Sequence, residues 1–135
     1  MKAVLVQAPL AVEIVDVPKP EITAADDVLI KVCYGGICGS DIGIFSGSNS
    51  FATYPRIIGH EFSGIVEAVG SGVHDLAPGD LVSIDIVNSC GHCYACRTGH
   101  HNVCKDLEVT GVHRNGGFAE YFKASRKMVY KLDKS

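Results

Sequence analysis

SCGHCYACRTGHHNVC, residues 89–104, holds four of the chain's six cysteines within sixteen residues. Cys90, Cys93, Cys96 and Cys104 read C-x2-C-x2-C-x7-C, and two-residue gaps let successive sulfurs turn toward one point. Four thiolates suit Zn²⁺, which takes tetrahedral sulfur ligands at ~2.3 Å. Four cysteines leave no open coordination position, so such a site is structural. Adding four thiolates to Zn²⁺ leaves a net charge of −2, which Arg97 and Lys105 lie beside in sequence. The stretch has few apolar residues of its own, so its order depends on the metal. Two other readings stay open. The first two gaps match the iron–sulfur run C-x2-C-x2-C-x3-C-P, although here the third gap is seven and Lys105 stands in place of proline. Two disulfides would suit a secreted chain. His92, His100 and His101 read as solvated loop residues, because four sulfurs already complete the shell.

The remaining sequence bounds the class. Its 135 residues suffice for one domain with a real core. Composition is 47% hydrophobic and 20% charged, the usual globular balance, with a net charge of −3. That balance argues against a nucleic-acid partner, which wants a basic patch. No run approaches eighteen apolar residues, so no membrane span is expected. The opening MKAVLVQAPLAVEIVDVP lacks a small-residue cleavage site and soon meets Glu13 and Asp16, so it reads as a strand pair, not a signal peptide. A cytoplasmic setting follows, and reduced cysteines there bind metal more often than they form disulfides.

Fifteen glycines punctuate short β-branched runs. The expected strands are Lys2–Gln7, Val12–Val17, Val28–Gly35, Glu61–Val69, Leu81–Ile86, Gly117–Lys123 and Met128–Lys131, a pattern of β-barrel or sandwich. Ala77-Pro78-Gly79-Asp80 reads as a turn before a strand. Only Ser40–Phe45 reads as helical. Val28, Ile30 and Val32 alternate with Leu29, Lys31 and Cys33, and Cys33 reads as a small core residue. Gly70-Ser71-Gly72-Val73-His74-Asp75 begins like a dinucleotide loop, but its sixth position is Asp75 and Pro78 breaks any following helix. It reads as a turn between strands, and the chain shows no nucleotide-binding unit.

Cys38 lies among glycines in Gly36-Ile37-Cys38-Gly39-Ser40-Asp41, and some twenty residues on stands Gly59-His60-Glu61. Cys38, His60 and Glu61 offer one sulfur, one nitrogen and one oxygen ligand, and three protein ligands with a fourth position open is the pattern of a catalytic zinc. An alcohol oxygen could take that position. Gly64 stands where an H-E-x-x-H protease motif needs its second histidine. On spacing alone a His-Glu pair is more often ordinary surface or strand chemistry; Cys38 and the four-cysteine run in the same chain bring the two readings level.

Three motifs now stand in order: G-I-C-G-S-D, G-H-E-F-S-G-I-V-E-A-V-G, and C-G-H-C-Y-A-C with Cys104. Together they resemble the zinc-dependent medium-chain alcohol/polyol dehydrogenases along the whole chain. T-G-V-H-R-N-G-G-F-A-E-Y is similar to the sugar-acid and polyol branch, including L-galactonate, sorbitol-type and starvation-sensing-type oxidoreductases. The resemblance implies a mainly β fold, a GroES-like partly open β-barrel with short helices over residues 1–135, bearing a zinc lobe at 88–106. It implies one catalytic zinc on Cys38, His60 and Glu61 and one structural zinc on the four lobe cysteines. It further implies that Ser40 passes the substrate's hydroxyl proton toward solvent, although a serine there could equally cap a helix. Asp41 reads as structural. Many relatives carry a histidine where Gly43 stands, and nothing in the spacing assigns His113 to replace it.

By this resemblance the NAD(P)-binding Rossmann domain lies outside these residues. The expected function is the catalytic half of a dehydrogenase that oxidises a secondary alcohol of a polyol or sugar acid, homo-oligomeric when complete and inactive as this piece alone. The competing function is a non-catalytic interaction module with only the four-cysteine zinc, since a fold does not fix a function.

Overall fold

A computed structural model describes residues 1–133. The chain folds mainly as strands. β1 (Lys2–Ala8) and β2 (Ala11–Asp16) form a hairpin, as expected of the opening strand pair, and β4 (Arg56–Ile57) pairs with the other edge of β1. The second sheet pairs Val129–Lys131, Leu81–Ile84, Glu61–Val69, Asp27–Gly36 and Tyr121–Ser125 in that order, all antiparallel. It comprises β3 (Asp27–Gly36), β5 (Glu61–Val69), β6 (Leu81–Ile84), β9 (Tyr121–Ser125) and β10 (Val129–Lys131). This sheet curls into a half-barrel. Val4 N donates to Phe118 O at 2.8 Å and Glu120 N to Lys2 O at 3.1 Å, stitching β1 to the approach to β9 and bringing the two sheets together. The lobe adds a small pair, β7 (Val87–Asn88) and β8 (Glu108–Val109). Two short helices complete the set, α1 (Gly39–Ser46) and α2 (Tyr94–Arg97).

Alternation along the strands places the core. Val28 and Ile30 of β3, Phe62 and Val66 of β5, Val82 of β6, and Phe122 and Ala124 of β9 face inward with Met128 and Val129. Phe62 and Phe122 meet edge to face, ring centres 4.9 Å apart. Each such fully buried aliphatic or aromatic side chain contributes about 1.5–3 kcal/mol against leaving it in water. A smaller cluster of Val6, Ile44, Ile58 and Val112 packs beneath α1 and fixes the helix to the β1 sheet.

Several details differ from the sequence reading. Cys33 is exposed, not core. It is the unpaired extra residue where the β3–β5 register slips between Val32 and Tyr34, and it lies two residues after the exposed Lys31. Met128 closes a 3₁₀ turn before β10, and β9 begins at Tyr121, because Gly116–Phe118 instead bond to the 57–59 segment. Residues 85 and 86 lie outside β6. The glycine turn at 70–72 docks on the 24–27 loop, Gly70 N donating to Asp27 O at 2.7 Å and Gly72 N to Ala25 O at 2.8 Å, with no helix after it. Among the described residues no helix is long and apolar enough to cross a membrane.

Candidate metal centres

The segment from Gly35 to Asp41 runs off the end of β3 into α1, and the segment from Ile57 to Glu61 runs into β5. Their ends lie side by side because Gly36 pairs with Glu61 in the sheet. Gly59 makes the turn that points His60 inward. Its φ is +93°, and the Phe118 ring lies where a Cβ would sit. The same fold places Cys38 at the N-cap of α1, with Ser40 inside the first helical turn. Ser40 is therefore not the cap.

These segments bring the donor atoms of Cys38, His60 and Glu61 within 4.8 Å of one another. His60 is buried, Cys38 half-buried and Glu61 exposed. Asp41 organises the cluster from below. It is 2% exposed, and it accepts from Cys38 N at 2.9 Å and from Gly59 N at 3.2 Å. Its Oδ1 also lies 3.4 Å from His60 Nδ1, which is buried without a hydrogen-bond partner. A carboxylate beside Nδ1 favours the proton there and leaves the Nε2 lone pair free for a ligand. Ser40 Oγ lies 3.1 Å from that Nε2. One sulfur, one imidazole nitrogen and one carboxylate, with a carboxylate behind the histidine, fit a zinc site with an open position. A cleft of about 580 Å³, lined by Glu61, Ser63, Ser83, Asp85 and Tyr34, opens on the Glu61 side; Cys38 and Ser40 do not line it. His113 belongs elsewhere: its Nδ1 accepts from Val109 N at 3.0 Å and its ring faces Phe51.

In the lobe, Cys90, Cys93, Cys96 and Cys104 also bring their sulfurs within 4.8 Å of one another, and none forms a disulfide. Cys93 is the N-cap of α2, so the single helical turn carries Cys96 back toward Cys93, while a 3₁₀ turn over His101–Val103 delivers Cys104. Backbone N–H groups point at the sulfurs. Cys90 N donates to Cys104 Sγ at 3.3 Å, Cys93 N to Cys90 Sγ at 3.4 Å, and Asp106 N to Cys104 Sγ at 3.4 Å. Backbone donors from Cys96 and Lys105 draw the Cys93 thiol down to about 6, whereas burial holds Cys96 up to about 11. One thiol ionises readily while its neighbour keeps its proton, as expected where close sulfurs need a cation to ionise together. This donor set fits a closed tetrahedral zinc. His92, His100 and His101 are exposed.

The model for the alcohol dehydrogenase GroES-like domain matches residues 24–134. This chain belongs to that family. The starvation-sensing protein RspB of Escherichia coli K12 is 48% identical over 134 residues, covering 98% of this chain and 39% of RspB. The crystal structure of galactitol-1-phosphate dehydrogenase from Escherichia coli superimposes with a TM-score of 0.93 at 41% identity, covering 99% of this chain and 38% of that one. The structure of RspB from E. coli CFT073, complexed with NADH, gives 0.92 at 44% identity, covering 100% of this chain and 39% of that one. The GroES-like chain thus spans about two fifths of the length of these relatives.

Proposed function

We propose that this chain is the catalytic domain of a zinc-dependent, NAD(P)-linked dehydrogenase that oxidises a secondary alcohol of a polyol or sugar acid. The observation that carries the reading is the convergence of Cys38, His60 and Glu61 within 4.8 Å, with the Ser40 hydroxyl 3.1 Å from His60 Nε2. A module with only a structural metal has no use for an open three-donor site backed by a buried carboxylate. The NADH-bound relative and the galactitol-1-phosphate dehydrogenase relative support the cofactor and substrate class. A reducing, cytoplasmic setting suits six free thiols.

Bound at this site, zinc would supply Lewis acidity, and NAD(P) would supply the hydride acceptor. Cys38, His60 and Glu61 hold the metal. Asp41 fixes the tautomer and tilt of the His60 ring. Ser40 both donates and accepts, so its hydroxyl can take a proton from an alcohol beside the cluster and release another outward. The four lobe cysteines hold the second zinc and give shape to residues 88–106.

Metal content tests the reading. The reduced, zinc-loaded chain should carry two zincs, one of which disappears in Cys38→Ser with the fold intact. A chain that holds a single zinc, indifferent to Cys38, would overturn the catalytic assignment. In the complete enzyme, Ser40→Ala should lower kcat by ~10²–10⁴ while zinc content stays unchanged.

A further inference from the structure

The lobe carries a second donor set, two of whose three members the four-cysteine site does not use. Cys90 Sγ, one ring nitrogen of His92 and a carboxylate oxygen of Asp106 also lie within 4.8 Å of one another. Cys90 is common to both sets. The two sets differ in access: Cys96 and Cys104 are 5% and 7% exposed, whereas His92 and Asp106 stand in solvent. His92 Nδ1 lies 2.9 Å from Cys90 O, a contact that holds the exposed ring beside Cys90. Among the described residues the Asp106 carboxylate pairs with Lys105 alone, at 3.7 Å with both groups exposed, a pairing too weak to hold it from a cation. Its backbone N–H meanwhile bonds Cys104 Sγ, so one residue touches both sets.

We propose that Cys90, His92 and Asp106 form an outer capture site through which a zinc ion enters the four-cysteine pocket. The inference rests on the four cysteines being a zinc site; it does not depend on the Cys38 site. Cys90 and His92 stand two residues apart, so they can take a hydrated divalent ion while the metal-free lobe is still loose, before Cys96 and Cys104 are buried around it. The ion meets the exposed carboxylate and imidazole first and exchanges some of its water for them and for Cys90. It then passes inward as Cys93, Cys96 and Cys104 displace the remaining water and the two outer ligands. The thiol protons leave to solvent. His92 and Asp106 are free again once the ion is seated. They therefore set the rate of transfer and not the final affinity.

The test follows from that distinction. Co²⁺ serves as the probe, in a reduced, metal-free Cys38→Ser background where only the lobe gives a thiolate–cobalt band. Stopped-flow uptake and EDTA-driven release are measured with and without His92→Ala and Asp106→Asn. The expected result is that uptake and release both slow by roughly tenfold, the lower end of what a local charged funnel adds to an on-rate. The end-point spectrum and the equilibrium affinity stay unchanged, because the same path is used in both directions. Unchanged rates in both variants would overturn the proposal. So would a loss of affinity or of the end-point spectrum, which would make these residues final ligands or structural supports.

Discussion

Gly59 and Gly79 form a matched pair that separates backbone strain from crowding. Their φ angles are +93° and +94°. A Cβ on Gly79 would meet nothing within 4 Å, whereas one on Gly59 would lie 2.2 Å from Phe118 Cδ1 and 2.5 Å from Cγ. Replacing either by alanine carries the left-handed penalty of roughly 1–2 kcal/mol. Gly59→Ala adds an overpacking cost of ~1–3 kcal/mol, because Phe118 packs against the cluster beneath α1 and must shift to admit the methyl group. Gly59→Ala should therefore be the less stable variant by ~1–3 kcal/mol, a difference of roughly 3–10 °C in Tm at this size. Urea unfolding of the zinc-loaded chains, followed by circular dichroism, measures it. Gly59 also aims His60, so the same variant should weaken metal binding at Cys38, His60 and Glu61, while Gly79→Ala leaves it intact. Equal destabilisation within ~0.5 kcal/mol, with equal metal binding, would refute the account of why a glycine precedes His60.

Three further outcomes are expected. Burial would raise the pKa of Asp27, but N–H groups of Thr23 and Ala24, the Lys123 ammonium and the Thr23 hydroxyl outweigh it and hold the carboxyl at about 2. A depressed carboxylate stabilises above its unfolded pKa and loses that contribution as pH falls through its folded pKa. The stability gap between the native chain and Asp27→Asn should thus include about 2 kcal/mol from ionisation at pH 6 that fades between pH 4 and pH 2, as read by urea unfolding. Cys96→Ser should cost one zinc and disorder residues 88–106 while leaving the barrel amides protected, which hydrogen exchange resolves residue by residue. Asp41→Asn should weaken Co²⁺ binding at Cys38, His60 and Glu61 by ~10–100-fold, leaving the lobe's tetrathiolate spectrum unchanged in a cobalt titration.

The long strands were legible because their alternation is long. Lys2–Ala8, Asp27–Gly36 and Glu61–Val69 each carry enough β-branched periodicity to place within a residue or two. β4, β7 and β8 were not, since two residues hold no period; they exist because long-range neighbours pair with them. Cys33 misled for a different reason. Its residue type suggested burial, whereas its place in the alternation, two residues after Lys31, put it on the exposed side. The four-cysteine set was legible from residue type and spacing, whereas Cys38, His60 and Glu61 stood out only with the family resemblance, and the Cys90, His92 and Asp106 set was not read at all. The roles of Phe118 and Gly116 against the 58–59 backbone were not, because nothing local in G-G-F-A-E-Y says which distant turn it will cover. Asp41 lay between. Its place three residues after Cys38 marks a helix-capping carboxylate, but its reach to Gly59 and His60 appears only in three dimensions.

The pairing of β3 sets an order of events during synthesis. One edge of β3 is covered by β5, made soon after it, but the other waits for β9, whose register joins Asp27 to Ser125. Translation at roughly 5–20 residues per second leaves that edge bare for several seconds, with Val28, Leu29 and Ile30 displayed on an unpaired ladder. The nascent chain is most exposed to mispairing in that interval, and the lobe, emerging between β6 and β9, is made within it. A shortage of zinc would then act twice, leaving residues 88–106 loose and delaying the strand that closes the sheet.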